Sequence, residues 1–306
     1  GGLPRLDESL HYIAEIIATF DICALQELRP NLGPIRRLKD LLGPNWDYFL
    51  TDVCDHEGGN AERMAFFYNT DKVFFRNIIG EIVIASDALP TGQQIARSPF
   101  FAAFQAGWFR FSLCTVHIYY GDESGPQLEH RVNEIAGLVD FFADRQDDEA
   151  RALRDRAEAA GAPGHDTRLD VENYILLGDF NVVSPEHRTM DALLRRGFIV
   201  PEQIGGDAIT DRDHFYDQIA VRTKDDRFRV LEGGIVDLFA DVFGDDDLEA
   251  WGDDVTVRDD DSDEPDEVRK RYEKWRTWQM SDHSPLWIRI DTDFADEYLE
   301  SVGAGG

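Results

Sequence analysis

A short apolar strand that runs into polar residues is the feature that most constrains this chain. The segment YILLGDFN, residues 174–181, begins with four apolar residues and ends with Asp179 and Asn181 just after a glycine. Buried polar groups need hydrogen-bond partners or counter-ions. This strand must therefore end where other polar groups, water or a metal ion satisfy both side chains.

The same arrangement recurs along the chain. Polar residues stand at the ends or starts of other apolar runs, namely Glu27, His117, Asp217, Asp282 and His283. We expect these strand ends to meet at one edge of the fold, because the polar groups can then satisfy one another or share a metal ion. Such a cleft suits phosphate ester hydrolysis: Mg²⁺ takes oxygen ligands and polarises a phosphoryl oxygen, an Asp activates water, and an imidazolium or amide stabilises the developing charge.

The secondary-structure pattern predicts a mixed domain. Apolar residues at helical spacing predict helices over 7–20, 33–43 and 127–142, and strand-like runs lie at 21–27, 63–69, 73–75, 81–85, 100–105, 108–118, 174–181, 216–222 and 285–290. Because strands and helices do not alternate strictly, we expect an α+β or layered α/β fold. We interpret 1–306 as one domain with insertions at 144–170, a charged helix and loop, and at 244–268, an acidic loop.

The formal net charge is −30, from 31 Lys and Arg against 61 Asp and Glu. This excludes a protein that holds nucleic acid mainly through a basic surface, although an arginine-lined cleft could still bind phosphate. Abundant Asp with few Lys suits a salty medium, where repulsion is screened, but a GC-rich genome gives the same bias towards Arg. No apolar run approaches the ~20 residues of a membrane helix, so we expect no membrane span. Cytoplasmic and secreted locations both stay open, and the sequence indicates no protein partner.

Seven short motifs follow one another in a recognisable order: LQE (25–27), ERMAFFYN (62–69), RSPF (97–100), TVHI (115–118), GDFN (178–181), YDQI (216–219) and SDHSP (281–285). They resemble the endonuclease/exonuclease/phosphatase superfamily, of which pancreatic deoxyribonuclease is a familiar member. The resemblance spans nearly the whole chain. It implies an α+β fold, a four-layer α/β/β/α sandwich of two packed, mainly antiparallel sheets. ERMAFFYN is closest to the deoxyribonuclease-like branch.

The resemblance implies a metal-dependent catalytic centre. Glu27 would be a direct Mg²⁺ ligand and Asp282 a metal-side carboxylate that often acts through water, with Mn²⁺ or Ca²⁺ as alternative ions. Asp179 would position or activate the attacking water, and Asn181 would steady the transition state. His283 would hydrogen-bond the scissile phosphate.

Further roles follow from the same resemblance. His117 would be the second catalytic imidazole, with Glu62 as the carboxylate that orients it, and Asp217 would be a further active-site aspartate. Arg63 and Arg97 would contact the phosphate, with a surface or structural role as the alternative for both.

One element of the family pattern is missing. In the family, a strand that ends in a metal-binding Asn precedes the helix that leads to LQE, whereas this chain starts at or just before that helix. We expect that the chain is a fragment or that another segment takes this place, and that Mg²⁺ binds more weakly without the Asn.

Three functions remain open at this point. The first and favoured one is a Mg²⁺-dependent nuclease that acts on DNA by attack of water on phosphorus. The second is a phosphatase or phospholipase of the same fold that acts on small or lipid phosphate esters. The third is a catalytically weak binding module that lacks metal-dependent turnover.

Overall fold

The computed structural model of the chain describes residues 5–53, 61–85, 95–162, 166–205, 215–255, 264–297 and 299. Within these residues the helices are α1 (Asp7–Ala18), α2 (Gly33–Leu42), α3 (Gly125–Ala159), α4 (Arg188–Leu194), α5 (Leu248–Trp251) and α6 (Pro265–Gln279). The strands are β1 (Ile22–Leu28), β2 (Trp46–Leu50), β3 (Arg63–Asn69), β4 (Phe74–Glu81), β5 (Phe100–Ala106), β6 (Phe109–His117), β7 (Asn173–Asp179), β8 (Asp217–Arg222), β9 (Val230–Ile235) and β10 (Leu286–Ile290).

The largest sheet has five strands in the order β4-β5-β6-β7-β8. Its neighbouring strands are antiparallel except for β6 and β7, which are parallel. Parallel neighbours need a long crossover, and α3 lies between these two strands in the chain. Consequently the ends of β6 and β7 and the start of β8 lie at the same edge of the sheet.

A second, antiparallel sheet has the strand order β1-β3-β2, with β1 at one edge, and β9 and β10 form a separate antiparallel pair. Neighbouring residues of β3 show how the layers form, because successive side chains of a strand point to opposite faces. Phe66 packs in the core shared with the five-stranded sheet, whereas Phe67 packs under α1 and α2. A strand covered on both faces reads as a continuous apolar run, as ERMAFFYN does.

The remaining layer is formed by α3 and α4. Leu138 and Phe142 of α3 and Leu193 of α4 pack on Leu176 of β7, on the outer face of the five-stranded sheet. The order of layers is therefore helices, sheet, sheet, helices. The predicted α/β/β/α sandwich is confirmed.

Two sequence predictions about irregular segments are wrong. Residues 73–75 and 81–85 do not form two strands, because β4 runs as one strand whose pairing with β5 shifts between Phe75 and Ile79, where Asn77 has a φ of 61°. The acidic loop at 244–268 is helical over α5 and the start of α6, while 256–263 lie outside the described residues.

In the segment 144–170, α3 continues to Ala159 as the predicted charged helix. No helix among the described residues is both long and apolar enough to cross a membrane.

Candidate functional site

Three predicted residues lie side by side at one edge of the five-stranded sheet. His117 is the register partner of Asp179 in the parallel β6–β7 pair, and Asp179 is the partner of Asp217 in the antiparallel β7–β8 pair. His117 Nε2 lies 3.7 Å from Asp179 Oδ2. The hydrogen bonds of the sheet therefore fix the order imidazole, carboxylate, carboxylate.

The turn after β7 satisfies the polar groups of GDFN. Gly178 has a φ of 125°, and a Cβ atom there would lie 2.3 Å from the carbonyl oxygen of Val116, so the close approach of β6 requires glycine. Asn181 has a φ of 50°, and its backbone N–H donates to Asp179 Oδ1 at 2.8 Å. The side-chain amide of Asn181 donates to the carbonyl of Ile118, also at 2.8 Å, which uses one of its two N–H groups.

Glu27 reaches the same edge from the other sheet through a β-bulge. Leu25 pairs with Ala65 and Leu28 with Arg63, so β1 has one extra residue there, and Glu27 has a φ of 56°. The bulge directs the half-exposed Glu27 carboxylate towards the five-stranded sheet, and its Oε1 lies 3.9 Å from His117 Nδ1.

Glu62 connects a buried arginine to the first imidazole. Arg97 Nε donates to Glu62 Oε2 at 2.8 Å, and the same oxygen lies 3.3 Å from His117 Nδ1, within ion-pair distance but not aligned as a hydrogen bond. Burial on its own would raise the pKa of Glu62, but His117 and Arg97 together lower this pKa to about 2. Glu62 is thus a carboxylate held in its charged form beside His117.

The second imidazole is paired with Asp217. His283 Nδ1 lies 2.7 Å from Asp217 Oδ2. This hydrogen bond raises the pKa of His283 to about 9, against burial, which lowers it. Burial and then the negative charge of Asp217 raise the pKa of Asp179, which His117 opposes. The site therefore places an imidazolium beside a carboxylate with raised proton affinity.

The remaining predicted residues take more peripheral places. Asp282 is exposed next to His283, and its charge acts on that imidazole. Arg63 donates to the carbonyl of Thr51 at 2.7 Å, while its Nε is buried without a hydrogen-bond partner among the described residues. Arg63 lines a narrow crevice together with Glu27, Glu62, Met64, Arg97 and His117. The guanidinium of Arg97 is engaged by Glu62.

The donor set in this cleft fits a divalent cation. Glu27, Glu62 and His117 each offer one ligand atom, and these atoms lie within 4.8 Å of one another. The Nδ1 atom of His117 is buried and has no hydrogen-bond partner among the described residues, so a cation beside it would satisfy it. This group shares Glu27 with the predicted metal site but contains Glu62 and His117 instead of Asp282.

Sequence reasoning missed two tyrosines beside the site. The rings of Tyr120 and Tyr216 meet edge to face at 6.0 Å, and the Tyr216 ring lies 6.4 Å from that of His283. Tyr120 is 57% exposed. The sequence indicates that both tyrosines lie near the site, since Tyr120 follows His117 by three residues and Tyr216 directly precedes Asp217.

Comparisons with known proteins agree with this fold. The model of the Endonuclease/Exonuclease/phosphatase family matches residues 2–291. No curated protein matches the chain. A functionally unknown conserved protein from Enterococcus faecalis has a similar structure, with 16% identity, 93% of this chain and 91% of that chain covered, and a TM-score of 0.50.

Two further solved structures have lower TM-scores. A mannosyl-6-phosphatase from Bacteroides thetaiotaomicron is 20% identical, with 75% of this chain and 80% of that chain covered and a TM-score of 0.46. TDP2 from D. rerio, complexed with single strand DNA product, is 14% identical, with 76% and 84% covered and a TM-score of 0.47.

Proposed function

Because the chain belongs to the endonuclease/exonuclease/phosphatase family, we propose that it is a divalent-metal-dependent phosphodiester hydrolase and that its substrate is DNA. One observation carries this proposal. Two imidazole–carboxylate pairs, His117 with Glu62 and His283 with Asp217, flank the buried carboxylate of Asp179 at one edge of the sheet. Hydrolysis of a phosphate ester needs a base for water and a positive group for the phosphate, and Asp179 and His283 supply them.

Each side chain has a task that follows from its surroundings. Asp179 takes a proton from the attacking water, because burial and Asp217 raise its pKa and so its proton affinity. His283 is a cation below pH 9 and donates a hydrogen bond to a phosphate oxygen. The second amide N–H of Asn181 donates a hydrogen bond to the negative charge that develops on the phosphate. The new bond from water to phosphorus forms as the ester bond breaks, and solvent protonates the departing oxygen.

The cation cluster lies next to this row. When bound, a divalent cation supplies a Lewis acid that neutralises charge on the phosphate. Glu27, Glu62 and His117 would hold it. Arg97 holds Glu62 in its charged form and so keeps that carboxylate available as a ligand.

The tyrosines favour a substrate that carries bases. Tyr120 is exposed beside Tyr216, whose ring in turn lies beside His283, so a nucleobase next to the scissile phosphate can stack on Tyr120. Stacking of a base on an aromatic side chain contributes about 1–3 kcal/mol per base. We therefore expect Tyr120→Ala to raise KM for a DNA oligonucleotide about tenfold or more, but not KM for an abasic oligonucleotide of the same length. Equal effects on both substrates would remove the argument for stacking.

A phosphatase acting on small esters is the second candidate. The net charge of −30 repels a DNA backbone, and the arginines of the cleft are engaged, Arg97 by Glu62 and Arg63 by the Thr51 carbonyl. Few cations then remain for neighbouring phosphates. A small ester with one phosphate group would avoid this repulsion.

One pair of assays tests both candidates. Supercoiled plasmid and a panel of sugar and nucleoside monophosphates are incubated with Mg²⁺, with Mn²⁺ and with EDTA, and nicking and phosphate release are measured. We expect nicking that requires metal and that Asp179→Asn and His283→Ala abolish. His11→Ala is the matched control, because it removes an exposed imidazole on α1. Phosphate release without nicking would refute the nuclease proposal in favour of the phosphatase. Full nicking in EDTA would refute metal dependence.

A further inference from the structure

Helix α3 carries two buried residues of opposite charge, Arg131 and Glu134, directly beneath the site. We propose that they are positioning residues, which hold the loops that carry the candidate catalytic groups at fixed distances from one another. The kinetic part of this inference rests on the proposed function. The structural part stands independently of it.

Arg131 and Glu134 bury their charged groups on the inner face of α3. Arg131 is 1% exposed and Glu134 is 2% exposed, on the face of α3 that also buries Leu128 and Ile135. Moving a charged side chain out of water is expensive unless hydrogen bonds compensate it. Apolar residues at both positions would have filled the same face of the helix at lower cost. The hydrogen bonds that these two side chains make must therefore compensate the cost of burying them.

Arg131 binds backbone carbonyls from two loops. Its Nη1 donates to the carbonyl of Asn181 at 3.0 Å. Its Nη2 donates to the carbonyls of Tyr120 and Gly121, the latter at 2.6 Å. One guanidinium thus ties the turn after β7, with its proposed transition-state amide, to the segment that follows β6.

Glu134 binds backbone amides from two loops. Its Oε1 accepts the N–H of Ala96 at 2.6 Å, and its Oε2 accepts the N–H of Tyr119 at 3.0 Å. His130 Nε2 lies 3.2 Å from Oε1 and adds a third contact. Ala96 directly precedes Arg97, and Tyr119 follows His117 by two residues.

The two residues together therefore hold three separate segments against one rigid helix. These segments contain Arg97, which fixes Glu62, then His117, and then Asn181. Catalytic groups must be held to within about 0.5 Å, and a displacement of about 1 Å can cost roughly 10²-fold in rate. A helix that contacts no reacting atom can thus set the geometry of the site.

The chemical nature of each side chain is specific to this task. A carboxylate presents two acceptor oxygens to two N–H groups, whereas an amide of the same shape would turn its own NH₂ group towards one of them. A guanidinium presents a planar fork of donors that spans several carbonyls, which a single ammonium cannot do. Glu134→Gln and Arg131→Lys therefore preserve size and remove the function.

Gln146 provides a matched control on the same helix. It is fully buried, and its side-chain amide donates to the carbonyls of Glu172 and Arg222 at 2.7 and 2.9 Å, away from the predicted site residues. Gln146→Met should therefore lower stability through the same kind of loss without disturbing the site. A purely structural role for Glu134 would make both variants behave alike.

The test combines amide hydrogen exchange with steady-state kinetics on the whole 306-residue chain. In the wild type, the amides of Ala96 and Tyr119 should exchange slowly although both lie outside strands, and Glu134→Gln should accelerate both about tenfold or more. Arg131→Lys should accelerate exchange in the 120–122 and 180–182 segments. On DNA, both variants should lose about 10- to 100-fold in kcat with KM little changed, whereas Gln146→Met should keep kcat.

Two results would overturn the proposal. One is fast exchange of the Ala96 and Tyr119 amides in the wild type, a measurement that needs no variant to fold. The other is an equal loss of kcat in Glu134→Gln and Gln146→Met. If the wild type hydrolyses no phosphate ester, the proposed function fails, and the exchange result still decides whether Arg131 and Glu134 hold these segments.

Discussion

Replacing Asp217 with Asn should move the pH dependence of hydrolysis to lower pH. His283 Nδ1 bonds Asp217 Oδ2 at 2.7 Å, and this bond raises the pKa of His283 to about 9. The charges of Asp179 and Asp282 act in the same direction, and burial opposes them. An Asn side chain keeps the shape of Asp217 but carries no charge, so it removes the Coulombic effect of Asp217 and replaces the charged acceptor of the hydrogen bond by a weaker, neutral one.

The magnitude follows from the fraction of imidazolium. A raised pKa means that the His283 cation is complete well below pH 9 and is lost as the pH rises through that value. At pH 8, about 90% of the imidazole is charged when the pKa is 9, and about 3% when the pKa is 6.5, so we expect roughly a 30-fold loss of activity. The acid limb should move in the same direction, because the charge of Asp217 raises the pKa of Asp179 and its removal lets that pKa fall.

The assay is kcat/KM for DNA cleavage between pH 5 and 10, which reports the ionisations of the free enzyme. Asp282→Asn is the graded control. Its carboxylate is exposed and acts only through space, so it should shift the basic limb by less than about 0.5 pH units. A basic limb that stays near pH 9 in Asp217→Asn would refute the reasoning, and so would equal shifts in both variants.

Three other perturbations give independent tests. Glu62→Gln should weaken Mn²⁺ binding about tenfold or more in an EPR titration, because it removes one carboxylate of the cation cluster, and unchanged affinity would place the metal elsewhere. Gly178→Ala should cost more than about 1–3 kcal/mol in urea unfolding, because strain at positive φ adds to a clash with Val116. Gly43→Ala is the control, because Gly43 has a φ of 88° and open space around an added Cβ, so this variant has the strain without the clash. Equal losses of unfolding free energy in the two variants would contradict a contribution from the clash. Raising NaCl from 0.1 to 1 M should raise Tm, because it shortens the screening length from about 10 to about 3 Å around a chain of charge −30, and a constant Tm would contradict self-repulsion.

Strong local patterns made much of the fold predictable. In α1, Leu10 and Ile17 fall on the buried face that their spacing predicts, and α2 begins next to Pro34 and ends before Gly43. The ends of the strands were predictable for a different reason. A polar residue after a buried apolar run must lie where it finds hydrogen-bond partners, which is usually at the end of the strand. His117, Asp179 and Asp217 stand at the strand boundaries that the sequence predicts.

Weak local patterns hid other elements. Helix α6 buries only Tyr272, Trp275 and Gln279 among many charged residues, so its apolar stripe is too narrow to stand out against the acidic segment before it. Strand β9 contains Gly233 and Gly234, which have no side chains to alternate. Gly233 fits there because the chain packs closely against Ile204 and the backbone of Trp287, a long-range contact that no local window contains.

The geometry of the site was hidden for a third reason, because it depends on the direction of strands rather than on their composition. His117 and Asp179 end their strands, whereas Asp217 begins its own, and the three can be neighbours only if β6 and β7 are parallel and β8 runs the opposite way. That arrangement requires a long crossover between β6 and β7, and α3 is that crossover. The helix that makes the parallel pairing possible must return across the sheet beneath the strand ends it connects. Charged residues on its buried face, such as Arg131 and Glu134, then have the loops of the site within hydrogen-bonding reach.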